Sequence, residues 1–286
     1  SNMTKFDWPL MSNNINLADK RSLIRFIRKS DKFTNGEKVK IFEKKWSKWL
    51  GVKYSVFVNS GSSANLLSIQ LLKLKYPKGG EVIVPPLTWS SDVSSLIHCG
   101  FKPVFVDIDL ETLGMNNDQI ISKINKKTRA VFLSYIQGFN CLSEKLLKYL
   151  KEKKIYLIED VCESHGAKYK KKKLGSFGWT SNFSFYYAHH MSTIEGGMIC
   201  TNDKKTYFDL LMLRSHGMIR EVKDNKFQNL MKKKYSDLNS KFIFYHPACN
   251  VRNTEIGGVL GQSQIKRLDS NIKKRNLRSE ERFSRN

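Results

Sequence analysis

Cysteine is sparse and scattered in this chain: Cys99, Cys141, Cys162, Cys200 and Cys249, none at CxxC spacing. An odd set of isolated thiols excludes a disulfide framework and points to the reducing cytoplasm. No apolar run approaches the ~18 residues that a membrane span requires. The start of the chain, with Lys5, Asp7 and Trp8, lacks a secretory pattern, and Ser1-Asn2 ahead of Met3 reads as an expression scar. Acidic residues are also few: 26 Asp and Glu against 50 Lys and Arg, a formal charge of +24. Such an excess suits an anionic partner, whether nucleic acid, membrane surface or phosphorylated substrate. The lysines gather in runs such as Lys151–Lys154, Lys170–Lys173 and Lys232–Lys234. Those runs lack the interleaved aromatics of nucleic-acid grooves. They read as solvated surface, so neither a nucleic acid nor a membrane is expected as partner. Steering of a nucleotide diphosphate is compatible with the excess.

What is present is a core and an alternation. Apolar residues make up 40% of the 286, enough for one large domain or two modest ones. Tyr54–Val58, Glu81–Pro85, Pro103–Asp107, Arg129–Ser134 and Ile155–Glu159 are rich in β-branched and aromatic residues and read as buried strands. Between them Leu66–Leu74, Asp92–His98, Asp118–Ile124 and Glu144–Lys153 repeat apolar residues at helical spacing. Asn182–Tyr186 and Gly197–Thr201 read as two further strands. This order predicts an α/β fold, a mostly parallel sheet with helices on both faces, with ligands at the carboxyl ends of the strands. Ahead of the sheet, Thr34-Asn35-Gly36-Glu37 opens a helix with Val39, Phe42, Trp46 and Trp49 on one face, where the tryptophans read as packing. Val222–Ser240 is lysine-rich and weakly periodic, and reads as a loop or exposed hairpin. Asn253–Leu268 reads as a helix with Glu255, Ile256, Leu260 and Ile265 in phase, and Asp269–Asn286 as a charged helix.

Four features fall at strand ends. Asn59-Ser60-Gly61-Ser62-Ser63-Ala64-Asn65 follows a strand and opens a helix, so its amides and positive helix end suit a phosphate; such turns are also common without ligands. Ile158-Glu159-Asp160 places a carboxylate where burial is expensive unless it meets a cation; a protonated pyridine nitrogen is one such partner, and a helix cap is the plainer reading. Leu87-Thr88-Trp89 offers an aromatic face to a planar ring, or a core tryptophan. Phe183-Ser184-Phe185-Tyr186-Tyr187-Ala188-His189-His190 precedes Glu195-Gly196-Gly197. Its adjacent histidines diverge and have no carboxylate or cysteine at ligand spacing, so no metal is expected.

In this order, Ser-Gly-Ser-Ser-Ala-Asn, Thr-Trp, Glu-Asp-Val-Cys-Glu-Ser-His-Gly-Ala and Phe-Ser-Phe…Glu-Gly-Gly resemble the DegT/DnrJ/EryC1/StrS family. The likeness continues through Asn250-Val251-Arg252-Asn253-Thr254-Glu255-Ile256 and Gln264-Ile265-Lys266-Arg267-Leu268-Asp269 and spans about Phe33 to Asp269. The resemblance implies pyridoxal-phosphate (PLP) transferase fold type I, the aspartate-aminotransferase-like fold. It implies a large cofactor-binding domain over 3–245, with a helical segment over about 17–50, and over 246–286 a small C-terminal domain that is only begun. It also implies site roles. Gly61, Ser62 and Ser63 would hold the cofactor phosphate with Ser184. Trp89 would stack on the ring, Asp160 would pair with its nitrogen, and Glu163 would lie beside its hydroxyl. Asn250 would reach the phosphate of a neighbouring subunit, giving a homodimer with shared sites.

One departure bears on the chemistry. Most members have lysine where this chain has His189, and without an ε-amine the protein cannot bind the cofactor covalently there. Histidine at this position resembles the sugar 3-dehydratase branch, the GDP-4-keto-6-deoxymannose 3-dehydratase-like members. The implied activity is PLP/pyridoxamine-phosphate (PMP)-dependent 3-dehydration of a nucleotide-linked 4-keto-6-deoxy sugar for surface polysaccharide, with glutamate as amino donor and His189 as the acid–base group. Two alternatives stand beside it: a sugar-nucleotide aminotransferase, and a catalytically degenerate nucleotide-sugar-binding homologue. An iron–sulfur cluster takes about four cysteines and Cys249 has no near neighbour, so none is expected. Tyr135 stands where many members have histidine, which implies altered substrate contacts.

Overall fold

The computed structural model describes residues 13–283; the expected scar, the Lys5–Trp8 region and the last residues of the charged helix lie outside them. The chain opens with α1 (Leu17–Ile27) and α2 (Glu37–Leu50). It then alternates β1 (Tyr54–Val58), α3 (Gly61–Lys75), β2 (Glu81–Val84), α4 (Ser90–His98), β3 (Lys102–Phe105), α5 (Asn117–Lys123), β4 (Thr128–Ser134), α6 (Glu144–Lys153) and β5 (Tyr156–Asp160). A small hairpin, β6 (Lys168–Tyr169) and β7 (Lys172–Lys173), leads to β8 (Thr180–Ser184) and β9 (Gly197–Thr201). The chain continues through α7 (Lys204–Leu213), α8 (Asn225–Lys234), α9 (Glu255–Gln264) and α10 (Leu268–Phe283).

Seven strands form one sheet in the order β1-β9-β8-β5-β4-β2-β3. β9 pairs antiparallel with both its neighbours, and the remaining pairs are parallel. Side chains alternate across such a sheet. Phe57, Ile83, Val131 and Leu133 pack with Val39, Phe42 and Trp46 of α2, Ile120 of α5 and Leu146 of α6. On the other face Val56, Val58 and Ile199 meet Leu67 and Leu71 of α3 and Leu210 of α7, while Val82, Ala130 and Phe132 meet Ile69, Leu72 and Leu96. Both faces are therefore covered by helices, as the β-branched runs predict. Strand ends differ by one or two residues from the sequence expectation, as in β5 and β8, because side-chain composition marks burial better than pairing.

Trp46 is wholly buried, edge-on to Phe183 and Phe185, and Trp49 donates its indole N–H to Asp269 Oδ1 at 2.8 Å. Both are packing residues, as expected. Residues 222–240 differ from expectation: α8 replaces the loop or hairpin. Asp224 caps it by accepting from the Phe227 amide at 3.0 Å, Met231 is buried, and three lysines in the last turn suit the negative end of the helix. One short apolar stripe among lysines gives weak periodicity, and capping with charge placement supplies the remainder.

The C-terminal region is tied to the front of the chain. Glu255, at the start of α9, accepts from the backbone amides of Lys38 and Val39 at 3.0 Å each and so caps α2 from outside. Gly258 and Gly261 let α9 approach α2 closely: a Cβ on Gly261 would lie 2.5 Å from the Phe42 ring. Glu255→Ala should destabilise the fold by about 1–2 kcal/mol, the range for a lost helix cap, read as a lower urea midpoint. Glu255→Gln, which keeps an acceptor, should lose less.

Candidate active site

Every parallel strand ends on the same edge of the sheet, and the ends of β1, β2, β5 and β8, with the segments that follow them, carry the expected site residues other than Asn250. After β1, Ser60 caps α3, its hydroxyl oxygen accepting from the Ser63 amide at 3.0 Å. The amides of Gly61 and Ser62 in the first turn have no intrahelical acceptor. Gly61 lies hard against β8: a Cβ there would sit 2.6 Å from Ser184 Cβ and 3.1 Å from its Oγ. Glycine is thus needed for the close approach that brings the Ser184 hydroxyl to the start of the helix. Ser62 is exposed and Ser63 half-buried.

Asp160 ends β5 and is 5% exposed. Its Oδ1 accepts from the Cys162 amide at 2.8 Å, and its Oδ2 from Asn65 Nδ2 at 3.0 Å. Neither Asp160 nor its neighbour Asp92 is ion-paired with a lysine or arginine among the described residues. Asn65 and Asp92 were missed in the sequence as site residues. Asn65 falls on the buried stripe of α3, a polar residue at an apolar position, which is a usable signal. Asp92 sits in the first turn of α4, where acids are ordinary.

His189 lies on the turn after β8, its amide donating to Tyr186 O at 3.1 Å and its carbonyl accepting from Asn14 Nδ2 at 3.2 Å. Burial pulls its imidazole down to about 4, against the opposing pull of the Asp160 carboxylate and with a further push from Arg275. His190 is pulled down to about 3, by burial, then Arg275, then His189. Asp160 therefore acts on His189 and is not among the groups acting on His190. Behind them His165 is buried, 5.1 Å from the His190 ring centroid and 6.1 Å from that of His189. Burial first, then His190 and His189, hold it well below the usual range.

The remaining expected residues sit at the rim. Trp89 is 67% exposed at the start of α4. Glu163 is at the surface, its carboxyl pushed up by partial enclosure and by Asp160. Asn250 is exposed and its Oδ1 accepts from Arg252 N and Nε at 3.1 and 2.9 Å. No hydrogen bond joins Asn250 to Gly61, Ser62 or Ser63 of its own chain among the described residues. Tyr135, where many members have histidine, is 1% exposed and donates its hydroxyl to buried Glu159 at 2.8 Å. Glu159 precedes Asp160 and points to the opposite face, where it also accepts from the amides of Gly175, Phe177 and Gly178.

The residues present fit PLP. A buried carboxylate that is not ion-paired with a lysine or arginine among the described residues suits a positively charged ring nitrogen. A helix start with a glycine-permitted approach of Ser184 suits an anion. No helix among the described residues is long and apolar enough to cross a membrane.

The DegT/DnrJ/EryC1/StrS aminotransferase family model matches residues 16–282. The chain belongs to this family. It is 38% identical over 274 residues to the GDP-4-keto-6-deoxy-D-mannose 3-dehydratase of Yersinia pseudotuberculosis, covering 94% of this chain and 69% of that one. Among solved structures it superposes on the E. coli GDP-4-keto-6-deoxy-D-mannose-3-dehydratase with bound hydrated PLP. The TM-score is 0.82 at 34% identity, covering 92% of this chain and 68% of that one. A second solved GDP-4-keto-6-deoxymannose-3-dehydratase, with a trapped PLP-glutamate geminal diamine, matches with the same TM-score and identity, over 92% and 69%. The family member thus has the expected fold, that of PLP-dependent aminotransferases.

Three histidines held neutral, His165 buried and His189 and His190 half-buried, make folding pH-dependent. Each binds a proton in the unfolded chain near its reference value of about 6.5 but not in the fold, so stability falls as pH is lowered from about 6.5 toward 4. The urea midpoint should drop over this window, and His165→Phe should flatten the slope. A midpoint constant from pH 7 to 5 would contradict the assignment.

Proposed function

We propose that this chain is a PLP/PMP-dependent 3-dehydratase of a nucleotide-linked 4-keto-6-deoxy sugar, with glutamate as the amino donor. The observation that carries the reading is His189: a neutral imidazole acted on by Asp160, at the position where most of the family has lysine. The relatives it matches include 3-dehydratases, and two solved ones carry PLP or a PLP-glutamate adduct.

In this reading the amides of Gly61 and Ser62, with Ser63 and the Ser184 hydroxyl, hold the cofactor phosphate. Asp160 holds the ring nitrogen, Trp89 covers one ring face, and Glu163 lies beside the ring hydroxyl. Asn250 completes the phosphate site of a second copy, making a homodimer that works in the cytoplasm. PLP or PMP, when bound, supplies an electron sink next to the sugar's reacting carbons. The chain's own part is to hold that ring, exclude water and move protons. His189 accepts a proton and returns one to the leaving C3 hydroxyl, and its neutrality down to about pH 4 keeps the base form available at working pH. Histidine cannot recapture the cofactor covalently, so the bond-making that would complete a transamination is missing.

With a 4-keto-6-deoxy sugar nucleotide, PLP and glutamate, mass spectrometry should find a product lacking the C3 oxygen; an amino sugar as sole product would overturn the reading. His189→Asn should bind the sugar nucleotide nearly normally while turnover falls about 10²–10⁴-fold, and His190→Asn should lose much less. His189→Lys should gain a Schiff-base absorption band and lose dehydration. If it dehydrates as well as the parent, His189 is not the proton carrier.

A further inference from the structure

A second carboxylate stands beside the one assigned to the ring nitrogen. Asp92 is fully buried. Its Oδ1 accepts from Asn65 Nδ2 at 2.6 Å, and the same nitrogen donates to Asp160 Oδ2 at 3.0 Å and reaches Ser91 Oγ at 3.1 Å. One neutral amide therefore clamps two acids. On its other side Asp92 Oδ2 meets Thr88 Oγ1 at 2.5 Å, and Thr88 also donates to Ser134 Oγ at 2.9 Å. Thr88 and Ser134 each bring one hydroxyl proton, and a hydroxyl can turn to accept as well as donate. A proton on Asp92 Oδ2 therefore has an acceptor in Thr88, which can donate on to Ser134, whereas both oxygens of Asp160 face N–H groups that only donate.

Among the described residues the surroundings pair neither acid with a lysine or arginine. From β5 and the turn after it Asp92 faces Asp160, Cys162 and, beyond them, Glu163, all acidic groups. From α3 it faces Asn65, from the β2–α4 loop Thr88 and Ser91, and from β4 Ser134. Across Asp160 stands His189, held neutral. Burial, and after it the charge of Asp160, pushes the Asp92 carboxyl well above the usual range. Two like charges a few ångströms apart in a dry site do not both persist.

We propose that Asp92 is the neutral, proton-bearing member of this pair and that Asp160 carries its single negative charge. Asp92 is then a positioning residue: with Asn65 it fixes the charge on the oxygen pair that faces the ring, and it withholds a second charge that would have to be balanced there. The part that concerns the ring rests on the function proposed above; the location of the proton does not.

The test uses the full-length chain, with and without PLP. Infrared difference spectra between parent and Asp92→Asn, without PLP, should show the carbonyl band of one protonated carboxylic acid at pH 7. Asp160→Asn should shift that band and keep its amplitude. Loss of the band in Asp160→Asn with retention in Asp92→Asn would place the proton on Asp160 and overturn the proposal, as would a band untouched by either change. Because the fold keeps a proton that the unfolded chain releases above about pH 4, the folding constant of the parent relative to Asp92→Asn should fall about tenfold per pH unit above that point. A ratio that is flat or rises with pH would overturn the proposal too. Should Asp92→Asn fail to fold, the Asp160→Asn spectrum alone decides, by the same amplitude. Loading the parent with PLP should move the band without removing it, and its disappearance would mean that Asp92 gives up the proton. Failure to bind PLP at all would count against the proposed function and leave the PLP-free spectra standing.

Discussion

A carboxylate buried at a strand end, with no lysine or arginine ion-paired to it among the described residues, is the constraint around which this molecule is organised. Isolated burial of a carboxylate is worth several kcal/mol against folding. Asp160 is made tolerable by two neutral donors, the Cys162 amide and the Asn65 side chain. Those donors in turn fix where α3 must start and how the chain must leave β5. The close passage of Gly61 against Ser184 follows from that placement, because β8 is the neighbour of β5 in the sheet. A gap of positive charge in the centre and a positive helix end at one side together describe the shape of the cofactor.

The opposite face of the same strand end is satisfied in another way. Glu159 is equally buried but answered fully by Tyr135 and three loop amides. Adjacent acids in one dipeptide thus face different surroundings, one holding the 175–178 loop and the other on the side of the candidate site. Strand alternation decides which is which.

Much of this was legible in the sequence. The β-branched runs and the Ser-Gly turn located the sheet, the helix starts and the edge that carries the candidate site, because burial and capping leave strong local patterns. Val39, Phe42 and Trp46 likewise declared the face of α2 that packs. Other parts were not legible, for physical reasons. Asp92 looks like any first-turn acid, and only the packing of α4 beside β5 brings it to Asp160. The direction of Tyr135 depends on strand register, which resemblance at that position did not fix. In α8, a cap and charge placement support a helix whose apolar stripe is too short to show by periodicity.

The one reversed strand has an evolutionary consequence. Because β9 returns antiparallel beside β8, with Ser184 opposite Gly197 and the Phe185 amide donating to Gly196 O at 2.8 Å, the residues between form a loop with both ends latched by main-chain bonds. Those latches are indifferent to side-chain identity. The sheet therefore places no demand on which side chain residue 189 carries, and that position is open to change while the strands around it are inherited unchanged.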